Sequence, residues 1–453
     1  MRRVIVVGGG LAGITTALGL ADHGCEVTLV EGRSKLGGLT HSFDRDGRWV
    51  DNGQHVFLRC CTSYLGLLDR LGVRDLVHLQ DRLDVAVRSG RHRGVGRLRR
   101  TGMPAPLHLG PALATYRWLD PAARIRAVQA ALALGRVDRD DVGTDAQSFG
   151  EWLAAHGQRE RAVEALWELI GVATLNAHAD DASLALAATV FQVGLLERAD
   201  AADIGWSLVP LQQLHGDPAA RALTRADVVI RLRTRVETIT SMPSGRWQVA
   251  DGEYDDVVLA VPPAEAARLL PTGAVDLPAG WDGVLGSSPI VNAHVVYDRV
   301  VLDEPFVAAV DSPLQWVFDR TQQGRPGVEA QPGEQYVAIS LSAADPWIDM
   351  PVAEIRAWVL PALQQLLPAA ADARVKGFFV TRERHATFRP APGTGRCRPR
   401  STTALPGLHL AGAWTATGWP ATMEGAVRSG EAATASVLRS SAHRDAAIED
   451  VAS

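Results

Sequence analysis

The first 31 residues constrain the chain most. A β-branched run, Val4-Ile5-Val6-Val7, leads straight into Gly8-Gly9-Gly10-Leu11-Ala12-Gly13, and after a break at Gly24 a second apolar run ends in Glu31. The order predicts a buried strand over 3–7, a tight turn, a helix over 11–23 and a second strand over 26–30 closed by an acid. Each glycine has a physical reason. Gly8 permits the turn, Gly10 lets backbone approach a pyrophosphate, and Gly13 lets helix and strand pack closely. The free N–H groups of Leu11 and Ala12 open the helix toward phosphate, and Glu31 is placed to accept ribose hydroxyls. Residues 4–21 carry no charge and follow Arg2-Arg3, as in a signal peptide or membrane span, but five glycines in that stretch favour the strand and turn.

With 453 residues, the chain has room for two or three domains. A hydrophobic content of 47% with 21% charged residues excludes a disordered chain, and a net charge of −5 gives no basic field for nucleic acid. The four cysteines, Cys25, Cys60, Cys61 and Cys397, form no C-x-x-C pair and no zinc spacing, so no metal site is expected and a reducing cytoplasmic compartment is the default.

Past the acid, Gly32-Arg33-Ser34-Lys35-Leu36-Gly37-Gly38 adds a second glycine pair, followed by Leu39 and Thr40. This resembles the extended fingerprint of the flavin amine oxidase and carotenoid desaturase superfamily. The resemblance implies that Arg33, Gly37 and Gly38 continue an FAD pyrophosphate cradle, with Leu39 standing where an arginine is usual. Near the other end, 408–412 reads as a short strand ending in Gly412, followed by a Trp- and Pro-rich loop and a helix that starts near Thr422-Met423-Glu424-Gly425-Ala426 and runs to about 439. By the same resemblance, Gly412 and Ala413 meet the ribityl chain, Ala413 replacing the usual acid. Thr422, Met423 and Ala426 then present a helix N-terminus to the flavin ring. Strand patterns at 228–239, 246–249 and 257–263 return the chain to this domain, with backbone at Val236 reaching the adenine.

The expected architecture is therefore α/β. A discontinuous Rossmann-like FAD-binding domain is made from 1–80, 215–265 and 400–440, a mixed α+β substrate domain from 81–214 and 266–399, and a flexible tail covers 441–453.

Within the superfamily, Asp51-Asn52-Gly53-Gln54-His55, Leu166-Trp167-Glu168, Asp217-Pro218-Ala219-Ala220, Ala386-Thr387-Phe388 and the 412–425 block together resemble the hydroxysqualene dehydroxylases, squalene-associated FAD-dependent enzymes of bacterial hopanoid synthesis. The resemblance implies reductive conversion of hydroxysqualene to squalene and water, with FAD contacts at Gly53, Gln54 and His55. Protonating the hydroxyl requires an acid. His55 is the first candidate, and Asp51, His385 and Glu424 are the others. One dinucleotide fingerprint leaves the electron donor unidentified. Oxidative desaturation of a carotenoid or other isoprenoid is the alternative on the same fold. A flavin-less lipid-binding protein is a third reading, kept open by Leu39 and Ala413. Amine oxidation would need a lysine near the flavin, and beyond Lys35 the chain offers only Lys376.

Residues 80–215 read as helices. Asp120-Pro121 is a helix start with Ile125, Val128 and Leu132 on one expected core face, and Ser148 with Glu151 forms a capping box. Arg88, Arg91, Arg93, Arg97, Arg99 and Arg100 beside the apolar segment 103–119 suggest peripheral contact with the inner face of the cell membrane, where a triterpenoid substrate would be collected. A solvated arginine-bearing hairpin is the plainer reading of the same residues.

Overall fold

Two sheets organise the chain in this computed structural model, which describes residues 1–324 and 333–452, with side chains described to residue 440. The segment 441–453, expected to be a flexible tail, lies outside the residues described at side-chain level.

The first sheet is parallel, in the order Val229–Leu232, Glu26–Glu31, Arg3–Val7, Asp256–Leu259, Leu408–Leu410. Three distant stretches of sequence thus supply one sheet. Val4, Ile5 and Val6 are all but fully buried, the signature of a central strand covered on both faces. The helix Leu11–Asp22 covers one face, and the terminal helix Met423–Ala452 packs against it. That crossing depends on glycine, because a Cβ on Gly430 would lie 2.5 Å from the Ala12 carbonyl oxygen.

The second sheet has seven strands in the order Val375–Thr387, Ser288–Tyr297, Gln335–Leu341, Trp316–Asp319, Phe306–Val310, Asp84–Ser89, Val95–Arg99, all antiparallel except the parallel pair of Phe306–Val310 with Asp84–Ser89. Alternation along Ser288–Tyr297 sends Val291, Ala293 and Val295 into a core with Ile355, Val359 and Leu363 of the helix Val352–Leu366. The opposite face, with Phe306, Ala308 and Phe318, meets a helical layer that includes Trp118, Leu134, Phe149 and Trp167.

In that layer the Asp120 carboxylate accepts from the Ala123 N–H to start Pro121–Leu134, and Ser148 and Glu151 form the expected capping box of Phe149–Ala155. The helix Pro121–Leu134 inverts one expectation. Ile125, Val128 and Leu132 do share a face, but it points outward, with exposures of 61%, 39% and 45%, while Ala123, Ala127, Ala130 and Leu134 are buried. Alanines let the helix approach its neighbours closely, so the inner face is the small one.

Candidate flavin site

Backbone makes the first wall. The helix Leu11–Asp22 begins with no side-chain cap and no acid in its first turn, leaving its positive end to an anion. Gly8 holds φ +112°, and a Cβ on Gly13 would sit 1.9 Å from its carbonyl oxygen. The second glycine pair comes alongside, so close that a Cβ on Gly38 would lie 2.8 Å from Gly10 Cα. Glu31 ties the two loops, accepting from the Gly9 and Arg33 N–H groups, each at 2.8 Å. This glycine-lined cradle at an uncapped helix end fits a dinucleotide pyrophosphate such as that of FAD. Gly32 follows the acid with open space where a Cβ would stand. The Arg33 guanidinium donates to the Gly38 carbonyl at 3.3 Å, and the Thr40 hydroxyl to that of Gly37 at 2.8 Å. Leu39 is 37% exposed, and its carbonyl accepts from the Asn52 amide at 2.8 Å. Val236 is buried two residues past Thr234, whose N–H donates to the Glu31 carbonyl at 2.9 Å, and its own carbonyl is engaged by Arg268 at 2.9 Å.

The second wall comes from the C-terminal block. Gly412, at φ +139°, cannot carry a Cβ, which would lie 2.4 Å from the Trp414 indole nitrogen. The Thr422 hydroxyl accepts from the Gly425 N–H at 3.1 Å and so starts the terminal helix at Met423, with Ala426 in its first turns. The loop between them is held by a residue that sequence reasoning passed over. Arg398 donates to the carbonyls of Ala413, Trp414, Thr415 and Trp419, at 2.6 to 3.3 Å, with its guanidinium 4.8 Å above the Phe388 ring. Burial pulls this guanidinium down to about 10, the distant Asp145 opposing. No motif marks Arg398 in the sequence, because its partners are backbone carbonyls.

The third wall is the loop after the hairpin of Ser42–Arg45 with Arg48–Asp51. Asp51 is buried and committed. Its carboxylate accepts from the Ser42 hydroxyl at 2.6 Å and the Leu211 N–H at 3.0 Å, and it pairs with Arg320. Gly53 follows, then half-buried Gln54, whose side-chain oxygen is buried without a partner. The His55 Nδ1 lies 3.1 Å from the Gly53 carbonyl, which places a proton on Nδ1 and leaves Nε2 to the site. Burial holds this histidine below its ordinary range, with Gly53 and Asp51 acting against the shift and Arg320 adding to it. Nearby, His215 hydrogen-bonds Tyr64 at 2.8 Å and is pushed down to about 3 by burial and by His55.

Of the four proton-donor candidates, only Asp51 and His55 lie together. The Glu424 carboxylate is buried and caps a different helix, Thr62–Leu71, accepting from the Ser63 and Tyr64 N–H groups at 3.2 and 2.7 Å and pairing with Arg428 at 2.6 Å. His385 is exposed and bonds the Ser287 hydroxyl at 2.9 Å, ~13 Å along its strand from Thr381. Thr381 itself, with Asn52 and His41, borders an open cleft of about 300 Å³. Lys376 pairs with Glu334 at 3.1 Å, so its ammonium is committed to an ion pair.

The arrangement matches known proteins along nearly its whole length. The family model for flavin containing amine oxidoreductase covers residues 11–438. A zeta-carotene desaturase of Synechocystis sp. is 27% identical over 91% of this chain and 92% of its own length, and a hydroxysqualene dehydroxylase of Sinorhizobium fredii is 26% identical over 92% and 93%. The solved cyclohexylamine oxidase of Brevibacterium oxydans superposes with a TM-score of 0.71 at 19% identity, over 97% of this chain and 99% of that one. The chain belongs to the flavin-containing amine oxidoreductase family, and FAD is its cofactor.

Proposed function

We propose that the chain uses reduced FAD to remove the hydroxyl of a long isoprenoid alcohol of the hydroxysqualene type, yielding squalene and water. The observation that carries this reading is His55, a titratable ring on the wall of the flavin site with Nε2 unengaged. Hydroxide is a poor leaving group and departs as water once protonated, so reductive dehydroxylation needs an acid where desaturation needs none. Bound FAD, in reduced form, supplies the hydride equivalent and is left oxidised. The chain's own residues do the rest. In its imidazolium form His55 gives the Nε2 proton to the hydroxyl oxygen and returns to the Nδ1–H form, the C–O bond breaks as water leaves, and the apolar face of the second sheet keeps bulk water from the carbon that receives hydride. The likeness to the Sinorhizobium dehydroxylase over nine-tenths of both chains supports the substrate class.

A second reading, oxidative desaturation of a carotenoid or related isoprenoid, draws on the equally similar desaturases and on the same histidine. Held below its ordinary range, His55 is mostly neutral near pH 7, which suits a site that protonates nothing.

The membrane role we assign moves from the arginine cluster to the helix Pro121–Leu134. Arg88, Arg97, Arg99 and Arg100 are engaged by Asp303, Asp84, Glu304 and Asp203. The outward Ile125, Val128 and Leu132 form the apolar stripe that would rest on the inner face of a bilayer, and among the described residues no helix is long and apolar enough to cross one.

Anaerobic single turnover tests the reaction. The holoenzyme is photoreduced and mixed with hydroxysqualene, and flavin absorbance is followed while lipid is extracted. Flavin reoxidation matched by squalene supports dehydroxylation. Flavin that stays reduced over intact alcohol refutes it, and oxidised enzyme with a carotenoid precursor then tests desaturation.

A further inference from the structure

Asn292 is fully buried on the strand Ser288–Tyr297, yet neither its side-chain nitrogen nor its oxygen has a partner. Its neighbour on the same face, His294, is equally buried but satisfied on both nitrogens, by Tyr336 at 2.7 Å and Thr381 at 3.0 Å. Leaving an amide dry and unpaired is unfavourable, and the empty donor and acceptor make physical sense when a ligand completes them.

The surroundings say which ligand. A Cβ built on Gly53 would lie 3.3 Å from the His55 ring and 4.0 Å from the Asn292 amide nitrogen, so the amide and the imidazole border the same point of the flavin-site loop. From there the sheet register runs away from the site. Asn292 pairs with Ser340, Ser340 with Trp316, and Trp316 with Ala308. Beyond Ser340 that face becomes an aromatic wall, in which Trp316, and Phe318 and Phe306 of the neighbouring row through His294, lie together: Trp316 and Phe318 are 5.9 and 6.0 Å from Phe306, and Trp206 is 5.4 Å from it. One unpaired polar group therefore heads an apolar, aromatic seam between the sheet and the helical layer.

We infer that Asn292 binds the hydroxyl of the substrate, its Nδ2 donating to the alcohol oxygen and its Oδ1 accepting the alcohol proton, while the hydrocarbon chain lies along the Trp316–Phe306–Trp206 wall. Asn292 thereby selects an alcohol over the parent hydrocarbon and presents the C–O bond to His55. This deepens the reading of the function given above and rests on it.

The test is ligand binding to the oxidised holoenzyme, in which the alcohol is not reduced. Hydroxysqualene and squalene are titrated separately, and flavin absorbance and tryptophan fluorescence are read. Wild type should prefer the alcohol by about tenfold, and Asn292→Leu should abolish that preference while binding squalene as before. Asn292→Leu should also unfold at a higher temperature, because an unpaired amide is replaced by an apolar group, whereas a structural asparagine would give a lower one. Asn292→Ala, with FAD content measured, serves if the leucine does not fit. A preference retained in either variant overturns the assignment, as does a wild type that binds both ligands equally. If that wild type still converts hydroxysqualene to squalene in single turnover, the function stands and only the role of Asn292 falls. If it does neither, the functional reading falls with it.

Discussion

Asp51 and Arg320, 269 residues apart in sequence, form a buried ion pair that fastens the flavin-site loop to the seven-stranded sheet. Arg320 directly follows the strand Trp316–Asp319, and Asp51 directly precedes Asn52 and Gly53. The pair therefore anchors the segment that carries His55 to the end of the strand Trp316–Asp319.

Breaking this pair should be costly. Arg320→Met leaves the Asp51 carboxylate buried without its cation, and the stability measured by urea denaturation should fall by about 3–5 kcal/mol. Adding Asp51→Asn removes the stranded charge and should recover a large part of the loss. Equal stability of the single and double variants would show that Asp51 is reached by water.

Glu424 behaves as a cap. Glu424→Ala orphans the Ser63 and Tyr64 N–H groups and should lower stability by about 1–3 kcal/mol while turnover per bound FAD stays at the wild-type value. A stable variant with turnover lost would return Glu424 to the proton-donor candidates.

Asp51, Arg320 and Glu424 mark what the sequence could and could not disclose. The parallel sheet was legible because strand, turn and helix each leave a local period, and so were the caps at Asp120 and Ser148. The outward Ile125, Val128 and Leu132 were legible as a face but not as to which side it presents, since periodicity carries no sign. Glu424 stands in a recognisable block, yet the N–H groups it caps lie some 360 residues away. Arg320, Arg398 and Asn292 carry no motif, because what distinguishes them is burial against groups brought together only by the fold.

Arg398 makes the strongest case of that kind. Arg398→Met removes the donors to four carbonyls of the loop that precedes the terminal helix, and lysine, a single point donor, cannot replace the planar fork. Both variants should purify with less than the wild-type complement of flavin, read as the ratio of flavin to protein absorbance, and should melt below wild type. A full flavin complement in Arg398→Met would mean that the loop holds its shape without the guanidinium.

The apolar stripe predicts a membrane phenotype separable from catalysis. Replacing Ile125, Val128 and Leu132 together by serine should reduce flotation with anionic liposomes while thermal stability stays close to wild type, since none of the three side chains belongs to the buried core. Flotation should persist at high salt in wild type, because apolar contact is not screened. Salt-sensitive flotation unaffected by the triple substitution would instead implicate Arg91 and Arg93, which are exposed.

The pH dependence of single turnover separates the two reactions through one ring. An acid must be protonated to act, and burial lowers the proton affinity of His55, so its competent fraction falls as pH rises through and above its depressed range. Dehydroxylation should therefore quicken from pH 8 toward pH 6, by up to about tenfold per unit where the ring is mostly neutral. His55→Ala should flatten that dependence and slow turnover by roughly 10²–10⁴-fold with FAD still bound. A desaturase that used the neutral ring as a base would show the opposite slope, with activity lost as pH falls. Measured at four or five pH values, on photoreduced enzyme with hydroxysqualene and on oxidised enzyme with a carotenoid precursor, the direction of the slope decides whether His55 gives a proton or takes one.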